Sequence, residues 1–430
     1  MNIFEAEIAK YERRVARIAA NPGSKMLASN LTYYQAELEH NKELLKWWGE
    51  GKPFVAIGGP MPTLLHAFSN CRPLNLIRIA DRLGTKRAEE ACDKVRAMGL
   101  PDYACDRTIL FMPLAAMMGD IPKPQLIVSH TGACNVANDT HRALAHLLNV
   151  PVYTVDVPFE DPHKEHLAYV TKQLHGLIEF METNLPGAKY DESGLVKCQK
   201  YMQRWSNAMH DIYELRKRVP CPDHPRDVFR EPLFPSQFFN PELIVQYYES
   251  YRDELRDKAQ RGWTPVGEEK LRIVWAISGP YGSNAWDYLA ERGVSVPLFH
   301  YGQEKRTFAM PTYDDVTEFG RKLSPLEEEA RMILYNSWGG IGERWIDDTI
   351  SVCKEFRADG LVQFEQTGCQ PMLGLSQLAT ERVKAEVGIP CWSVEGRMLL
   401  GRTEHTEAQF MAGLEAFINL CFERKRGRAS

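Results

Sequence analysis

The sequence lacks the segments and the charge that would direct the protein to a membrane or to nucleic acid. No stretch approaches the roughly 20 apolar residues that span a bilayer, and the N-terminus lacks the basic-then-apolar order of a secretory signal. The formal net charge is −5, and a basic run occurs only in the tail at residues 424–428, so no broad positive field is available for a polyanion. We therefore expect a cytoplasmic protein whose partners include neither membrane nor nucleic acid.

Short cysteine motifs and nucleotide-binding loops are also missing. The chain has ten cysteines, yet none are arranged as CxxC, and neither GxGxxG nor a Walker loop is present. In a chain of this size without a secretory signal, such cysteines are typical of free thiols or metal ligands and not of a disulfide framework. Which cysteines bind a metal must therefore be decided from their positions in the fold.

The length of the chain and its pattern of apolar residues predict several domains. Its 430 residues are too many for one ordinary core, and 44% hydrophobic with 25% charged residues is a globular composition. Residues 1–50 are predicted to form two amphipathic helices, residues 51–162 a first α/β domain, residues 163–267 a helical connecting region, and residues 268–430 a second α/β domain. The predicted strands are Phe54–Ile57, Leu74–Ile79, Leu126–His130, Val150–Val157, Leu271–Ile277, Val294–His300, Gly360–Gln366 and Ile389–Val394, and a last helix is predicted from about Glu404 to Phe422.

The two strand-rich regions repeat the same motifs in the same order. AIGGP at residues 56–60 matches AISGP at residues 276–280, and TGAC at residues 131–134 is echoed by TGC at residues 367–369. Each TG-Cys motif is followed by a helical stretch and then by a strand entered through proline. We therefore predict an α/β fold of two doubly wound, Rossmann- or flavodoxin-like parallel-sheet domains related by duplication, with N-terminal helices and a helical middle insertion.

Two cysteines occupy equivalent places in the two predicted domains. Cys134 and Cys369 each follow a Thr-Gly step after a strand, and each opens a helix. Open parallel sheets bind ligands beyond the carboxyl ends of their strands, and the free N–H groups and dipole at a helix N-terminus favour a thiolate. The two sulfurs are therefore predicted to be ligands or nucleophiles that converge if the domains face each other.

A third sulfur is needed for a metal centre, and Cys105 is the candidate. It lies in PDYACD at residues 101–106, where Asp102 is predicted to cap a short helix that ends by Met112, because Pro113 would break a longer one. Three thiolates from separated segments suit an iron-sulfur cluster with one iron left open. Structural zinc is the alternative metal, and a small buried hydrophobic side chain is the alternative for each single cysteine.

The other cysteines and several polar residues are weaker candidates. The loops at residues 58–62 and 278–282 are predicted either to approach a phosphate or acyl group or to be tight turns, and His66, His130 and Asp139 are near enough in sequence to transfer protons. Cys391 is predicted to be buried in a strand. The remaining cysteines are predicted to pack in helices or lack a partner pattern: Cys71, Cys92, Cys198, Cys221, Cys353 and Cys421.

Over about residues 50–422, these motifs resemble the benzoyl-CoA reductase/2-hydroxyglutaryl-CoA dehydratase family. The similarity lies in the Gly-Pro-rich first loop, the cysteine ahead of a helix at position 105, the TGAC and VPVY segments, and the late QTGC followed by GIP. The resemblance implies a [4Fe-4S] cluster held between two α/β domains. Carried over to this sequence, its ligands are Cys105, Cys134 and Cys369.

The resemblance also implies the chemistry and the partners. A family member of this kind is a catalytic component that receives low-potential electrons from a separate ATP-hydrolysing iron-sulfur activator, itself supplied by a ferredoxin-type donor. It passes single electrons to an acyl-CoA thioester, forming a ketyl radical anion. Such components pair with a homologous second catalytic subunit, so the resemblance implies a hetero-oligomer.

Within the family, the sequence is interpreted as the larger of the cluster-bearing subunits of an ATP-dependent benzoyl-CoA reductase of anaerobic aromatic degradation. Dehydratase-like members often carry an acidic residue after the loop proline, whereas this chain has Thr63 after Pro62. The N-terminal extension and the aromatic-rich middle favour the same interpretation, in which His66 would donate a proton. The alternatives are a 2-hydroxyacyl-CoA dehydratase subunit, a non-catalytic cluster-bearing partner subunit, and a double-cubane cluster protein.

Overall fold

A computed structural model gives the fold of most of the chain. It describes residues 2–21, 27–58, 62–132, 134–160, 162–230, 233–277, 279–280, 283–301, 315–335, 341–401 and 403–429. Parts of both Gly-Pro loops, residues 59–61, 278 and 281–282, lie outside the described residues. The predicted approach of these loops to a phosphate or acyl group therefore stays a prediction.

Two long helices precede the first sheet, as predicted. Helix α1 spans Ile3–Ala20 and α2 spans Asn30–Gly49. Asn2 caps α1 because its side chain accepts the Glu5 N–H while the Glu5 carboxylate accepts the Asn2 N–H, a capping box. Aromatic side chains of α1 and α2 pack against the later helices of the middle region and form a separate helical core.

The first sheet is parallel and has the strand order β2-β1-β3-β4. Strands β1 and β3 are buried along their whole length, as expected for parallel strands covered on both faces. The strands are β1 Phe54–Ile57, β2 Arg72–Asn75, β3 Leu126–His130 and β4 Val152–Val155. The accompanying helices are α3 Pro62–Leu65, α4 Leu76–Asp81, α5 Thr85–Ala97, α6 Asp106–Ile109, α7 Phe111–Ala116 and α8 Asn135–Leu148.

A helical region connects the two sheets. It contains α9 Lys164–Asn184, α10 Glu192–Arg216, α11 Pro225–Val228, a 3₁₀ turn at Pro235–Gln237 and α12 Pro241–Gln260. The long helices α10 and α12 pack on each other and on α1 and α2.

The second sheet repeats the first, with the strand order β6-β5-β7-β8. Its strands are β5 Leu271–Ala276, β6 Val294–His300, β7 Gly360–Gln366 and β8 Cys391–Gly396. Its helices are α13 Ala285–Glu291, α14 Pro325–Leu334, α15 Gly342–Glu355, α16 Gln370–Glu386 and α17 Glu404–Ala429. The same order of parallel strands in both sheets confirms the predicted two-domain α/β fold and is what a duplication produces. The limits predicted for the domains stay a prediction.

The prediction of the second strand as Leu74–Ile79 was wrong from Leu76 onward, and the strand begins earlier, at Arg72. The strand ends at Asn75, whose side-chain oxygen accepts the Arg78 N–H at 3.0 Å and caps α4. The residues that follow are apolar because they face the core from a helix, which a short apolar run does not distinguish from a strand. The last helix also continues beyond the predicted Phe422, to Ala429.

The outer faces of the two sheets are covered differently. The first sheet packs against α9 and against α14, which comes from the second half of the chain. The second sheet packs mainly against its own α13 and α17. A further core, built from residues of both domains, joins the facing helices of the two halves. The two domains are therefore packed together and not merely linked.

Candidate metal centre

Cys134 and Cys369 occupy the same place in the two domains. Cys134 follows β3 and is the N-cap of α8, while Cys369 follows β7 and is the N-cap of α16. In each sheet that strand lies beside β1 or its equivalent β5, where the chain changes direction across the sheet, the position at which doubly wound sheets bind ligands. The predicted placement of these two sulfurs at helix N-termini is confirmed.

Cys105 also lies at a helix N-terminus, although the predicted local structure there was wrong. Cys105 itself is the N-cap of α6. Asp102 is not the cap, since its carboxylate pairs with Arg96 at 2.7 Å. Pro113 does not end the helical segment either, because it lies in the first turn of α7, where the missing proline N–H is not needed.

The loops of Cys105 and Cys369 meet across the two domains. Gly368 has φ +79°, and a Cβ placed on it would lie 2.5 Å from the Cys105 backbone nitrogen. The Gln366 side-chain nitrogen lies 3.9 Å from the Cys105 sulfur. Only glycine fits at position 368, because both the left-handed backbone and the close approach exclude a side chain.

Electrostatic interactions place the third sulfur in the same neighbourhood. Burial raises the pKa of the Cys105 thiol, and the thiols of Cys369 and Cys134 contribute to that rise. Burial raises the pKa of Cys369 to about 11, with a further contribution from Cys134. The structure therefore places the Cys134 thiol near enough to influence the ionisation of the two other thiols.

Arg107 and several backbone groups lower the pKa of these thiols and so make their ionisation easier. Burial raises the pKa of Cys134, whereas the N–H groups of Ala137 and Val136 lower it. Arg107 lowers the pKa of all three thiols, and its guanidinium is held by Asp81 at 2.6 Å. A bound metal would add the positive charge that three neighbouring thiolates still require.

The spacing of the sulfurs distinguishes two kinds of metal. Among the described residues, Glu160, His163 and His166 form the one group of three possible ligands whose atoms lie within 4.8 Å of one another, so the three cysteine sulfurs are not that close. A tetrahedral zinc with bonds of about 2.3 Å holds its sulfurs about 3.8 Å apart. In a cubane cluster each thiolate binds a different iron, which requires wider spacing. Sulfurs that are not all within 4.8 Å of one another do not have the spacing of a tetrahedral zinc site, and a donor set of three thiolates is compatible with an iron-sulfur cluster.

A buried carboxylate that sequence reasoning missed ties the domains together beside the sulfurs. Asp106 accepts hydrogen bonds from the Gln366 side chain at 2.8 Å and from the N–H groups of Leu399 at 2.8 Å and Leu400 at 3.1 Å. Burial raises the pKa of Asp106, and the two N–H groups oppose that rise. Its neighbour Cys105 is thereby fixed relative to the second domain. Only its position next to a candidate ligand could have drawn attention to it.

Matching threonines shape the two cysteine loops. The Thr131 hydroxyl donates to Asp156 at 2.8 Å, and Thr131 N–H donates to the Val155 carbonyl just after β3. The Thr367 hydroxyl donates to Glu395 at 3.3 Å, and Thr367 N–H donates to the Gly396 carbonyl. The same bonds therefore connect each loop to the next strand of its sheet.

The described contacts of His66 do not include the three cysteines. Its Nε2 contacts the Ser236 carbonyl at 2.9 Å, and burial lowers its pKa. It lines a cavity of about 280 Å³ with Arg72 and Lys197, and the described lining residues do not include the three cysteines. The predicted role of His66 as a proton donor stays a prediction.

The other two proton-transfer candidates lie nearer to Cys134. His130 is buried at the end of β3, and burial, with a contribution from His141, lowers its pKa to about 4. Asp139 is exposed on α8 and contributes to the raised pKa of Cys134. No described contact of either residue identifies a proton-transfer role.

The remaining cysteines do not join the centre. Cys391, predicted to be buried, is half-buried at the start of β8 because that strand lies at the edge of the second sheet. Four cysteines are buried, as their predicted packing in helices requires: Cys92, Cys198, Cys353 and Cys421. Cys71 and Cys221, for which the sequence offered no partner pattern, are buried as well. Among the described helices, none combines the length and the apolar character needed to cross a membrane.

Comparison with known proteins gives a consistent family assignment. The model of the family described as 2-hydroxyglutaryl-CoA dehydratase, D-component, matches residues 69–420. Lactoyl-CoA dehydratase subunit alpha of Anaerotignum propionicum is 22% identical over 358 residues, covering 81% of this chain and 82% of that protein. (R)-2-Hydroxyglutaryl-CoA dehydratase, subunit alpha, of Acidaminococcus fermentans is 20% identical over 282 residues, covering 64% of this chain and 56% of that protein. The family match includes all three cysteines.

Proposed function

The chain belongs to the family of the 2-hydroxyglutaryl-CoA dehydratase D-component, and from this premise we propose that it is an α-type subunit of a 2-hydroxyacyl-CoA dehydratase. The observation that carries the proposal is the convergence of Cys105 with Cys369 across the domain interface, within a segment that matches this family. Both named relatives are α subunits of dehydratases that act on 2-hydroxyacyl-CoA thioesters. The reaction would be the loss of water from such a thioester.

The reductase interpretation of the sequence gains no support from these relatives. It rested on Thr63 in place of an acidic residue, on the N-terminal extension and on the aromatic-rich middle. Most of these aromatic residues pack in the helical core formed by α1, α2, α10 and α12, whereas Tyr213, Phe229 and Phe239 pack in other cores, so all of them have a structural explanation. The dehydratase alternative therefore replaces benzoyl-CoA reduction as the proposed activity.

We infer that Cys105, Cys134 and Cys369 would hold a [4Fe-4S] cluster. When bound, the cluster supplies single electrons to the acyl-CoA thioester and an open iron that can act as a Lewis acid. The protein contributes the positions of the ligands. All three cysteines lie at helix N-termini, and the bonds of Asp106 to the second domain fix the loop that carries Cys105.

The burial of the three cysteines is the second contribution of the protein to the proposed cluster site. Cys105 is 8% exposed, and Cys134 and Cys369 are half-buried. We propose that the substrate approaches from the side of the two half-buried cysteines, while burial keeps bulk water from Cys105. Arg107 supplies the fixed positive charge beside the thiolates.

The proposed assembly follows from the subunit names of the relatives. Each is one subunit of a larger enzyme, so we propose a homologous second catalytic subunit for this chain. We also propose an ATP-hydrolysing iron-sulfur activator and a ferredoxin-type electron donor, in the cytoplasm.

The proposal is tested with the native complex purified without oxygen. The complex is mixed with its activator, ATP and reductant, and lactoyl-CoA, 2-hydroxyglutaryl-CoA and benzoyl-CoA are offered side by side. We expect an enoyl-CoA product from at least one 2-hydroxyacyl-CoA and an unchanged aromatic ring in benzoyl-CoA. Reduction of benzoyl-CoA without dehydration of either hydroxyacyl thioester would overturn the proposal in favour of the reductase.

A further inference from the structure

A second group of possible metal ligands lies just beyond β4, outside the thiolate centre. Glu160 and His163 precede α9, and His166 lies in its first turn. One possible ligand atom from each residue lies within 4.8 Å of the other two. The Glu160 carboxylate approaches His166 Nε2 at 3.9 Å, and the two imidazole rings face each other at a tilt, with centroids 3.4 Å apart. The proposed dehydratase uses none of these three side chains.

Local sequence explains why the two histidines face the same way. His163 is the N-cap of α9 and stands three residues before His166, a spacing that places side chains on one face of a helix. The His166 side chain is only 14% exposed, so its position is fixed by the surrounding protein. The Glu160 side chain is 78% exposed and can move to close the group around an ion.

A carboxylate orients one of the imidazoles. Glu165 contacts His163 Nδ1 at 2.8 Å. When Nδ1–H donates to a carboxylate, the lone pair is on Nε2, which is then available as a ligand. Metal-binding histidines are commonly oriented by this arrangement, and the partner carboxylate makes the imidazole a stronger ligand.

We propose that Glu160, His163 and His166 form a binding site for a divalent transition-metal ion of the zinc type, separate from the thiolate centre. Two imidazoles and one carboxylate are the donor set of known zinc sites that keep a fourth position for water or substrate. Imidazole nitrogen suits zinc, copper, nickel and iron, whereas iron-sulfur clusters are held by softer thiolates. The two centres therefore differ in the metals they select.

The helix dipole opposes binding of a cation at this site, and two carboxylates offset that repulsion. The N-terminus of α9 carries the positive end of the helix dipole, which disfavours a cation. Glu160 as ligand and Glu165 behind His163 bring two negative charges to the same place. Because the opposing charge is partial and the carboxylates carry full charges, the balance favours the metal.

The site connects to the loop of Cys134 through α9. Tyr169, one turn after His166, donates its hydroxyl to Asp156 at 3.0 Å. Asp156 in turn accepts the Thr131 hydroxyl at 2.8 Å. A metal that orders the start of α9 would therefore also stabilise the turn that leads to Cys134.

Metal content of the full-length protein tests the site. Protein purified without oxygen is dialysed against micromolar Zn²⁺ with excess Mg²⁺, and zinc and iron per chain are measured by mass spectrometry. We expect the His163→Ala/His166→Ala double variant to bind one zinc fewer per chain than the wild type, with unchanged iron. His175→Ala, an exposed histidine on the same helix, is the matched control and should bind as the wild type does.

Affinity and stability provide the second readout. Glu165→Gln should weaken zinc binding by about tenfold, the lower end of the effect of removing an orienting partner. Zinc should raise the melting temperature of the wild type and of His175→Ala, but not that of the double variant, because a ligand stabilises only a protein that binds it. Equal zinc in the wild type and the double variant, including none in either, would overturn the proposal without bearing on the dehydratase.

Discussion

In the first α/β domain the cysteine-bearing loop packs against its own domain, whereas in the second domain the equivalent loop packs against its neighbour. A Cβ on Gly132 would lie 2.8 Å from the side chain of Val157, which follows the next strand of the same sheet. A Cβ on Gly368 would meet the backbone of Cys105 in the other domain. The strand order is the same in both copies, so the different contacts of the two loops do not come from a different sheet topology.

This difference explains how a repeated structure produces an unsymmetrical centre. The first copy supplies Cys105 and Cys134, and the second copy supplies Cys369. The second loop needs a left-handed glycine because it approaches another backbone, while Gly132 needs no such conformation. Duplication therefore accounts for two of the sulfurs, and the interface between the copies accounts for the third.

The largest expected effect comes from removing one of the two equivalent sulfurs. Cys134→Ala and Cys369→Ala should each lose most of the iron, because two remaining thiolates do not hold a cubane. The wild type purified without oxygen should contain about four iron and four sulfide per chain. Cys198→Ala, buried in α10, is the control and should keep its iron. Retention of iron by either loop variant, or its loss in Cys198→Ala alone, would contradict the assignment.

A smaller effect is expected at the two glycines that distinguish the loops. Gly368→Ala should lower the free energy of unfolding by about 2–5 kcal/mol, because a left-handed alanine and an overpacked contact add together. Gly132→Ala should cost about 1–3 kcal/mol, because it only crowds the side chain of Val157. Denaturation of the two variants under the same conditions measures the difference. Equal losses would mean that the two loops are packed alike.

Helix α14, which comes from the second half of the chain and packs on the first sheet, should make the stability of the protein depend on pH. Glu329 on α14 is buried, and burial raises its pKa to about 8, with the Leu64 N–H opposing the rise. Its ordinary pKa is 4.5, so the stability from the protonated form is complete below about pH 4.5 and is lost as the pH rises through 8. In the wild type the free energy of unfolding should fall by about 4 kcal/mol between pH 5 and pH 9, and Glu329→Gln should remove this fall.

Thermal denaturation across this pH range measures the effect. Glu179→Gln, an exposed position on α9, is the control and should leave the pH profile unchanged. A profile for Glu329→Gln that matches the wild type would show that the carboxylate is not held neutral between α14 and the first domain.

Much of the architecture was predictable because buried parallel strands give short apolar runs. Phe54–Ile57, Leu126–His130 and Gly360–Gln366 have the bounds that the sequence predicted. The strand at Leu74–Ile79 was predicted too long, because a single capping side chain at Asn75 decides where the helix begins. Local signals of this kind compete with hydrophobic pattern and are easily missed.

The sequence selected the three cysteines of the candidate site by position, two of them from the repeat and Cys105 from its place before a predicted helix. Cys134 and Cys369 stand at matching positions of two copies, so position alone selected them. Asp106 and Gln366 are 260 positions apart in the chain and meet only through the packing of two domains, which no local pattern encodes. The choice between reductase and dehydratase depends on the shape of a substrate site, and one missing acidic residue at position 63 did not determine it.

Helix α14 also has a consequence for how the protein is made. The outer core of the first sheet contains Leu326, Ala330 and Ile333 of that helix. During translation α9 covers its part of this face first, and the part that α14 covers stays exposed until α14 has also emerged. The two halves must therefore mature together, and a gene fragment that encodes the first copy alone would yield a chain that exposes its apolar surface.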